Sequence, residues 1–113
     1  MPPPLDRDQV YHRFHQLVNM GPAELEEWLE SEESRRVGFT RPGEHESIGH
    51  ASGRRILSLL RKRRAEFDDD DFGHMRTVVG FIRRHSARRP ENVVTSRWRY
   101  SLMNWGHDPL REG

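Results

Sequence analysis

One basic, amphipathic stretch at residues 47–64 limits the folds available to this chain. Its sequence, SIGHASGRRILSLLRKRR, contains no acidic residue, and its aliphatic side chains recur at helical spacing. Ser47 is predicted to cap the helix start. The predicted inner face consists of four aliphatic residues: Ile48, Ile56, Leu59 and Leu60. Because such a helix gains most of its stability from tertiary packing, the other segments are expected to pack around it.

Apolar spacing and capping residues predict further helices on both sides of this stretch. The first follows Asp6 to about residue 19, and the second covers residues 23–33. The helix after the basic stretch covers about residues 69–87. The last begins at Thr95 or Ser96 and ends before Gly106, where a left-handed cap is expected. Residues 34–46 are predicted to be a loop whose Val37 and Phe39 contact the core, and residues 108–109 to be extended chain.

These elements predict a small all-α domain. Residues 6–113 are expected to form a single bundle of about four to five helices without a significant sheet, preceded by a flexible, proline-rich tail at residues 1–5. The buried face of the helix at 69–87 is predicted to contain Phe72, Met75, Val78, Val79 and Ile82. On its opposite side Gly73, Thr77, Gly80 and Arg84 form a smooth strip that lets another backbone approach.

Composition excludes several classes of protein. The chain of 113 residues is 33% hydrophobic and has no cysteine, which excludes disulfides and thiolate metal sites. It shows no signal peptide and no apolar run long enough to span a membrane, so a cytoplasmic location without membrane association is expected. The seven histidines and the serines do not match the spacing of a metal site or a nucleophile motif. Consequently, no catalytic residue, metal or cofactor is expected.

Charge is unevenly distributed along the chain. Residues 1–50 contain 5 basic and 10 acidic side chains, whereas residues 51–113 contain 14 basic and 8 acidic ones. This asymmetry favours an anionic partner for the basic half, although the two halves could also neutralise each other. Nine residues could contact DNA or another nucleic acid through its phosphates: His50, Arg54, Arg55, Arg61, Lys62, Arg76, Arg83, Arg84 and Arg88. Trp98, Tyr100 and Trp105 could stack on bases, but docking on the core is favoured.

Several ordered blocks resemble a known family. They are NM at 19–20 followed by PAELEEWL at 22–29, SRRVG at 34–38, ESIGH at 46–50 with SGR at 52–54, HMR at 74–76 with VV at 78–79, and SL at 101–102 with NWGHDP at 104–109. Together they resemble the domain of unknown function 3140 family of bacteria and fungi. The resemblance implies a small protein without established catalytic residues, and some members are labelled DNA-binding.

The function expected from these features is nucleic-acid binding through the arginine-rich face. The alternatives are a protein-interaction or stress-associated module, or an enzyme that uses the neighbourhood of Glu46, His50 and Arg54. A homodimer remains open. The start of the basic helix is the preferred place for function, because its N–H groups can receive an anion. Residues singled out as motif or structural positions are Ser47, Gly49, Ser52, Gly53, Trp28, Trp98, Asn104, Trp105, Gly106, His107 and Asp108.

Overall fold

A computed structural model describes residues 6–111 of the chain, and these residues are largely helical, with no strand among them. The helices are α1 (Arg7–Leu17), α2 (Pro22–Leu29), α3 (Glu32–Arg36), α4 (Ile48–Leu60), α5 (Asp69–Ser86) and α6 (Arg97–Asn104), with 3-10 turns at Arg64–Glu66 and Pro109–Arg111. The predicted all-α class is confirmed. The tail predicted at residues 1–5 lies outside the described residues. None of the helices described is long and apolar enough to cross a membrane.

Capping side chains fix where the helices begin. Asp6 accepts the backbone N–H of Gln9 at 2.8 Å, and Ser47 accepts that of His50 at 3.1 Å. Ser96 accepts the N–H of Arg99 at 3.0 Å. Each of these bonds satisfies an N–H group that has no partner inside its helix. These three caps agree with the helix starts predicted from the sequence.

The short helix α6 is the centre of the fold. Helix α1 packs on α5 and α2 packs on α4, while α6 contacts α2, α3, α4 and α5. Leu102 of α6 is fully buried, and Trp105 just after α6 belongs to the same core. The basic helix α4 is therefore one wall of the domain. The predicted buried face of α5 is confirmed, since all five of its predicted side chains are buried.

The prediction of one helix at residues 23–33 followed by a loop is wrong. The chain instead forms α2 and α3, and Ser31 separates them. Its hydroxyl donates to the carbonyl of Trp28 at 2.6 Å and accepts the N–H of Ser34 at 3.2 Å. A serine that bonds to neighbouring backbone in this way offers an alternative to continued helix. Ser34, predicted to lie in the loop, is therefore a fully buried residue of α3.

The predictions that Ile48 and Phe39 contact the core are also wrong. Ile48 is 37% exposed and Phe39 is 66% exposed, whereas Val37 is buried as predicted. The inner face of α4 begins instead with Gly49, Ser52 and Gly53. Small residues are needed there because the backbone of α6 passes close by, and a Cβ added at Gly53 would lie 2.5 Å from the carbonyl oxygen of Asn104.

The end of the chain differs from the expected extended conformation. Pro109–Arg111 forms a 3-10 turn, because Asp108 accepts the N–H of Leu110 at 3.1 Å through its side chain. An aspartate commonly closes a turn by bonding to the backbone two residues later. Gly106 has a φ of 79°, which confirms the predicted left-handed position after the last helix.

Candidate functional site

Three basic side chains on the outer side of α4 and just after it are paired with carboxylates. Arg54 binds Glu46 through Nε at 2.7 Å and through Nη2 at 2.5 Å. Arg61 lies 2.7 Å from Glu26, and Lys62 lies 2.7 Å from Asp71. These acidic partners come from three different parts of the chain. These three members of the predicted phosphate-binding surface are thus neutralised within the fold.

His50 and Arg55 are also engaged by the protein. The Nδ1 of His50 contacts Glu46, and its Nε2 lies 2.7 Å from the carbonyl oxygen of Leu29. With a side chain only 12% exposed, His50 holds α4 against the end of α2 and is poorly placed to contact a nucleic acid. Arg55 donates to the carbonyl oxygen of Asp70 at 3.1 Å, so its charge is held in place without being neutralised.

The C-terminal end of α5 presents a different arrangement. Arg83, Arg84 and Arg88 are exposed, and within residues 6–111 none of them forms an ion pair. Arg76 is exposed on the same helix. The positive charges near the end of α5 suit the negative end of its helix dipole. Burial is the largest cause that lowers the pKa of His85, and the charges of Arg88 and Arg84 lower it further. His85 therefore adds no charge to this group at neutral pH.

Glu46 links the loop before α4 to the helix itself. Its hydrogen bonds from Arg54, assisted by His50 and opposed by partial burial, lower the pKa of Glu46 from 4.5 to about 2. The carboxylate therefore stays charged over the physiological pH range. Through it, residues of the loop and of the first two turns of α4 form one bonded unit.

We expect the Glu46→Gln substitution to reduce the acid sensitivity of the fold. A carboxyl whose pKa falls from 4.5 to about 2 on folding stabilises the protein above pH 4.5, and this contribution is lost as the pH falls to about 2. The melting temperature of the wild-type protein should thus decline more steeply across this interval than that of the variant. Circular dichroism melts at a series of pH values measure both slopes.

The matched control for this experiment is Glu44→Gln. It makes the same chemical change two residues away, at an exposed side chain, and should keep the wild-type slope. Equal slopes for Glu46→Gln and the wild-type protein would contradict the assigned role of Glu46.

An open groove of about 720 Å³ lies between α4 and α5. Ile48, Ala51, Ser52 and Arg55 line it from α4, His74 and Thr77 from α5, and residues 41 and 44–47 from the preceding segment. Trp105, which follows α6, also lines the groove and is only 6% exposed. The structure thus places the start of α4, which the sequence favoured for function, next to the segment after α6.

Ser52 and His74 connect the two walls of the groove. The hydroxyl of Ser52 lies 3.0 Å from Nε2 of His74. Burial, followed by the charge of Arg55, lowers the pKa of His74, so the neutral imidazole is favoured at neutral pH. Ser52 is 6% exposed and lies inside a helix, where it serves as a tether between α4 and α5. Among residues 6–111, no three histidine, aspartate or glutamate side chains are grouped so that they could hold a metal ion.

The remaining motif residues form buried contacts that hold the helices together. Asn104 accepts the indole N–H of Trp28 at 2.8 Å and the hydroxyl of Ser34 at 2.5 Å, and donates to the carbonyl of Ser34 at 2.9 Å. His107 bonds to the carbonyl of Leu17 at 2.6 Å. Trp98 donates to the carbonyl of His85 at 2.6 Å, which supports docking on the core. These residues contribute to stability.

Asp108 connects the end of the chain to the segment after α1. Its N–H donates to the side chain of Asn19 at 2.8 Å, and its carbonyl accepts from that side chain at 3.0 Å. Burial alone would raise the pKa of the Asp108 carboxyl, but Arg99, 3.1 Å away, and the N–H of Leu110 hold it below its ordinary value. Asn19 and Ser34 were not selected from the sequence, although both fall within the blocks that carry the family resemblance.

Comparison with known proteins agrees with that resemblance. The profile of the family described as "Protein of unknown function (DUF3140)" matches residues 13–103. No curated protein and no solved structure matches the chain. The matched segment contains the last five residues of α1, all of α2 to α5 and nearly all of α6, and it includes every groove-lining residue except Trp105. The chain belongs to the DUF3140 family of proteins of unknown function.

Proposed function

We propose that this protein binds nucleic acid through phosphate contacts at the C-terminal end of α5. The observation that carries the proposal is the exposure of Arg83, Arg84 and Arg88, none of which has an ion-pair partner among residues 6–111. Arginine binds phosphate well because its planar guanidinium can donate two parallel hydrogen bonds. Such contacts position a nucleic acid without reading its sequence.

The surface beside these arginines supports the approach of a sugar-phosphate backbone. A Cβ added at Gly73 would meet no atom within 4 Å, and one added at Gly80 would meet only the side chain of Arg84. The strip predicted along α5 is therefore open at Gly73, whereas the guanidinium of Arg84 lies over Gly80. A neighbouring strand of nucleic acid could lie along it and keep its phosphates within reach of the arginines.

We expect labelled duplex or single-stranded DNA to bind at low salt and to be released as salt increases. With duplex DNA, each phosphate contact contributes about 0.9 to the slope of the logarithm of affinity against the logarithm of salt concentration, and with single strands about 0.7. Replacing three contacting arginines should therefore lower the slope for duplex DNA by about 3. Fluorescence anisotropy over a series of salt concentrations measures it. The variant to test combines Arg83→Gln, Arg84→Gln and Arg88→Gln.

A second triple variant provides the matched control. It removes the same number of charges from side chains that already have carboxylate partners: Arg54→Gln, Arg61→Gln and Lys62→Gln. Its salt dependence should stay close to that of the wild-type protein. If the slope of affinity against salt concentration falls equally in both variants, then total charge, and not the α5 arginines, controls binding.

Absence of binding at low salt would contradict the proposal altogether. A protein-interaction function would then be favoured by the exposure of Phe39 and Ile48, which are 66% and 37% exposed. The N–H of Ile48 donates to the carbonyl of Phe39 at 2.9 Å, so the backbones of these two apolar residues are adjacent. Ile48 lines the groove, and the exposed side chains of Ile48 and Phe39 are the feature that a protein partner could cover.

A further inference from the structure

We propose that the groove between α4 and α5 binds a small organic anion, namely a carboxylate on an apolar body. The site is distinct from the arginines at the C-terminal end of α5, so this proposal is independent of nucleic-acid binding. The feature that carries it is the indole N–H of Trp105, which has no hydrogen-bond acceptor among residues 6–111. Trp105 is 94% buried, since only 6% of it is exposed.

The other two tryptophans show how the fold normally treats an indole N–H. Trp28 donates to Asn104 at 2.8 Å, and Trp98 donates to the carbonyl of His85 at 2.6 Å. Buried indoles usually have such a partner. No wholly buried side-chain donor among the described residues lacks one, so the N–H of Trp105 retains contact with solvent. Because Trp105 lines the groove, a ligand there can supply the missing acceptor.

The surroundings of Trp105 leave its edge, and not its face, for a ligand. The ring of Phe81 stacks on it with centroids 4.1 Å apart, and the ring of His74 is nearly parallel to it at 6.4 Å. The Nε1 atom lies 3.1 Å from the position of a Cβ at Gly49. Glycine at position 49 therefore keeps the N–H edge of the indole close to the first turn of α4.

The start of α4 adds positive potential beside this donor. The N–H groups of Ile48 and His50 donate to Phe39 at 2.9 Å and to Ser47 at 3.1 Å. The N–H of Gly49 has no acceptor among residues 6–111. Unsatisfied N–H groups and the helix dipole together make a helix N-terminus favourable for an anion.

The charged side chains that line the groove leave a positive group next to Trp105. Arg55 bonds only to a backbone carbonyl, that of Asp70, so its charge is available. Glu46 is already neutralised by Arg54, and Arg41 and Glu44 add one charge of each sign. An anion between Trp105 and Arg55 would therefore meet two donors, and none of the side chains by which α4 and α5 line the groove is a carboxylate.

The shape and lining of the groove indicate that the anion carries an apolar body. Its volume of about 720 Å³ lies within the usual range for small-molecule sites. Ile48, 37% exposed, and Ala51 provide apolar surface on the α4 wall. The ligand class that fits both features is an aromatic or short aliphatic carboxylate.

Nuclear magnetic resonance can test this directly, because each indole N–H gives its own signal. We expect benzoate to shift the Trp105 indole signal and to leave those of Trp28 and Trp98 in place, since their donors are already bonded. Benzamide has nearly the same shape without the charge and should shift none of them. The spectrum of Trp105→Phe identifies the signal.

Two variants show whether benzoate binds in this groove or at the α5 arginines. Arg55→Gln removes the charged donor and should weaken benzoate binding roughly tenfold, as expected for a lost hydrogen bond to a charged group. The triple variant Arg83→Gln, Arg84→Gln and Arg88→Gln should bind benzoate as the wild-type protein does. These two results distinguish failure of this proposal from failure of nucleic-acid binding.

Three outcomes would overturn the inference. The first is no benzoate-dependent shift of the Trp105 signal. The second is an equal shift with benzamide, which would show that charge plays no part. The third is unchanged affinity in Arg55→Gln while its three indole signals remain at their wild-type positions in the free protein, which would place the anion elsewhere in a correctly folded chain.

Discussion

Replacing Asn104 by alanine is expected to lower the free energy of unfolding by about 3 to 5 kcal/mol. The side chain is 1% exposed and makes three hydrogen bonds, two with Ser34 and one with Trp28. Its removal leaves the indole N–H and the buried Ser34 hydroxyl and carbonyl without partners, at a cost of about 1 to 3 kcal/mol for each group that stays dry. A small cavity adds to this loss.

Urea denaturation followed by circular dichroism measures the effect of Asn104→Ala. The control is Asn92→Ala, which makes the same change at an exposed asparagine and should alter stability by less than about 0.5 kcal/mol. A loss below about 1 kcal/mol for Asn104→Ala would show that water enters and replaces the lost bonds. That result would contradict the role of Asn104 as the buried connection between α6, α2 and α3.

Gly53→Ala is the second substitution with a large expected effect, a loss of about 2 kcal/mol or more. The added Cβ would lie 2.5 Å from the carbonyl oxygen of Asn104 and 2.6 Å from a methyl carbon of Leu29. Backbone cannot move aside as a flexible side chain can, so α4 and α6 must separate. This cost exceeds the roughly 1 kcal/mol that alanine gains over glycine inside a helix.

The control for this substitution is expected to change the stability of the protein in the opposite direction. Gly73→Ala places a Cβ where no atom lies within 4 Å, inside α5, and should stabilise the protein by about 0.5 to 1 kcal/mol. Thermal or urea unfolding of the two variants compares them directly. If Gly53→Ala is neutral or stabilising, the close approach of α4 and α6 is incorrect.

Features that depend on neighbouring residues in the chain could be predicted from the sequence. Asp6 and Ser96 cap their helices through bonds to the residue three positions later, so a short segment contains the whole signal. The buried face of α5 follows from apolar spacing alone. Gly106 was recognised because a left-handed residue after a helix strongly favours glycine.

Features that depend on distant segments could not be predicted in this way. Burial of Ile48 was expected from its place in an aliphatic pattern, but the backbone of α6 occupies the face formed by Gly49 and Gly53. The partners of Arg54 and Arg61 likewise come from other elements, so a basic helical face gave no indication of how much of its charge is neutralised. The groove arises only when α4, α5 and Trp105 come together. Its small residues and glycines were visible in the sequence, but the unpaired indole N–H was not.

The bonds made by the end of α6 and by the segment after it determine when the domain can be completed during its synthesis. Asp108 bonds to Asn19 across 89 positions, and Asn104 bonds to Trp28 across 76. Neither partner can be reached until the last helix has left the ribosome. Until then α2 and α3 expose the polar groups that Asn104 later satisfies, and α4 lacks the surface that covers its glycines. A nascent chain stalled before residue 104 should therefore remain open to proteases and chaperones, and the native structure should form only once α6 and residues 105–108 are available.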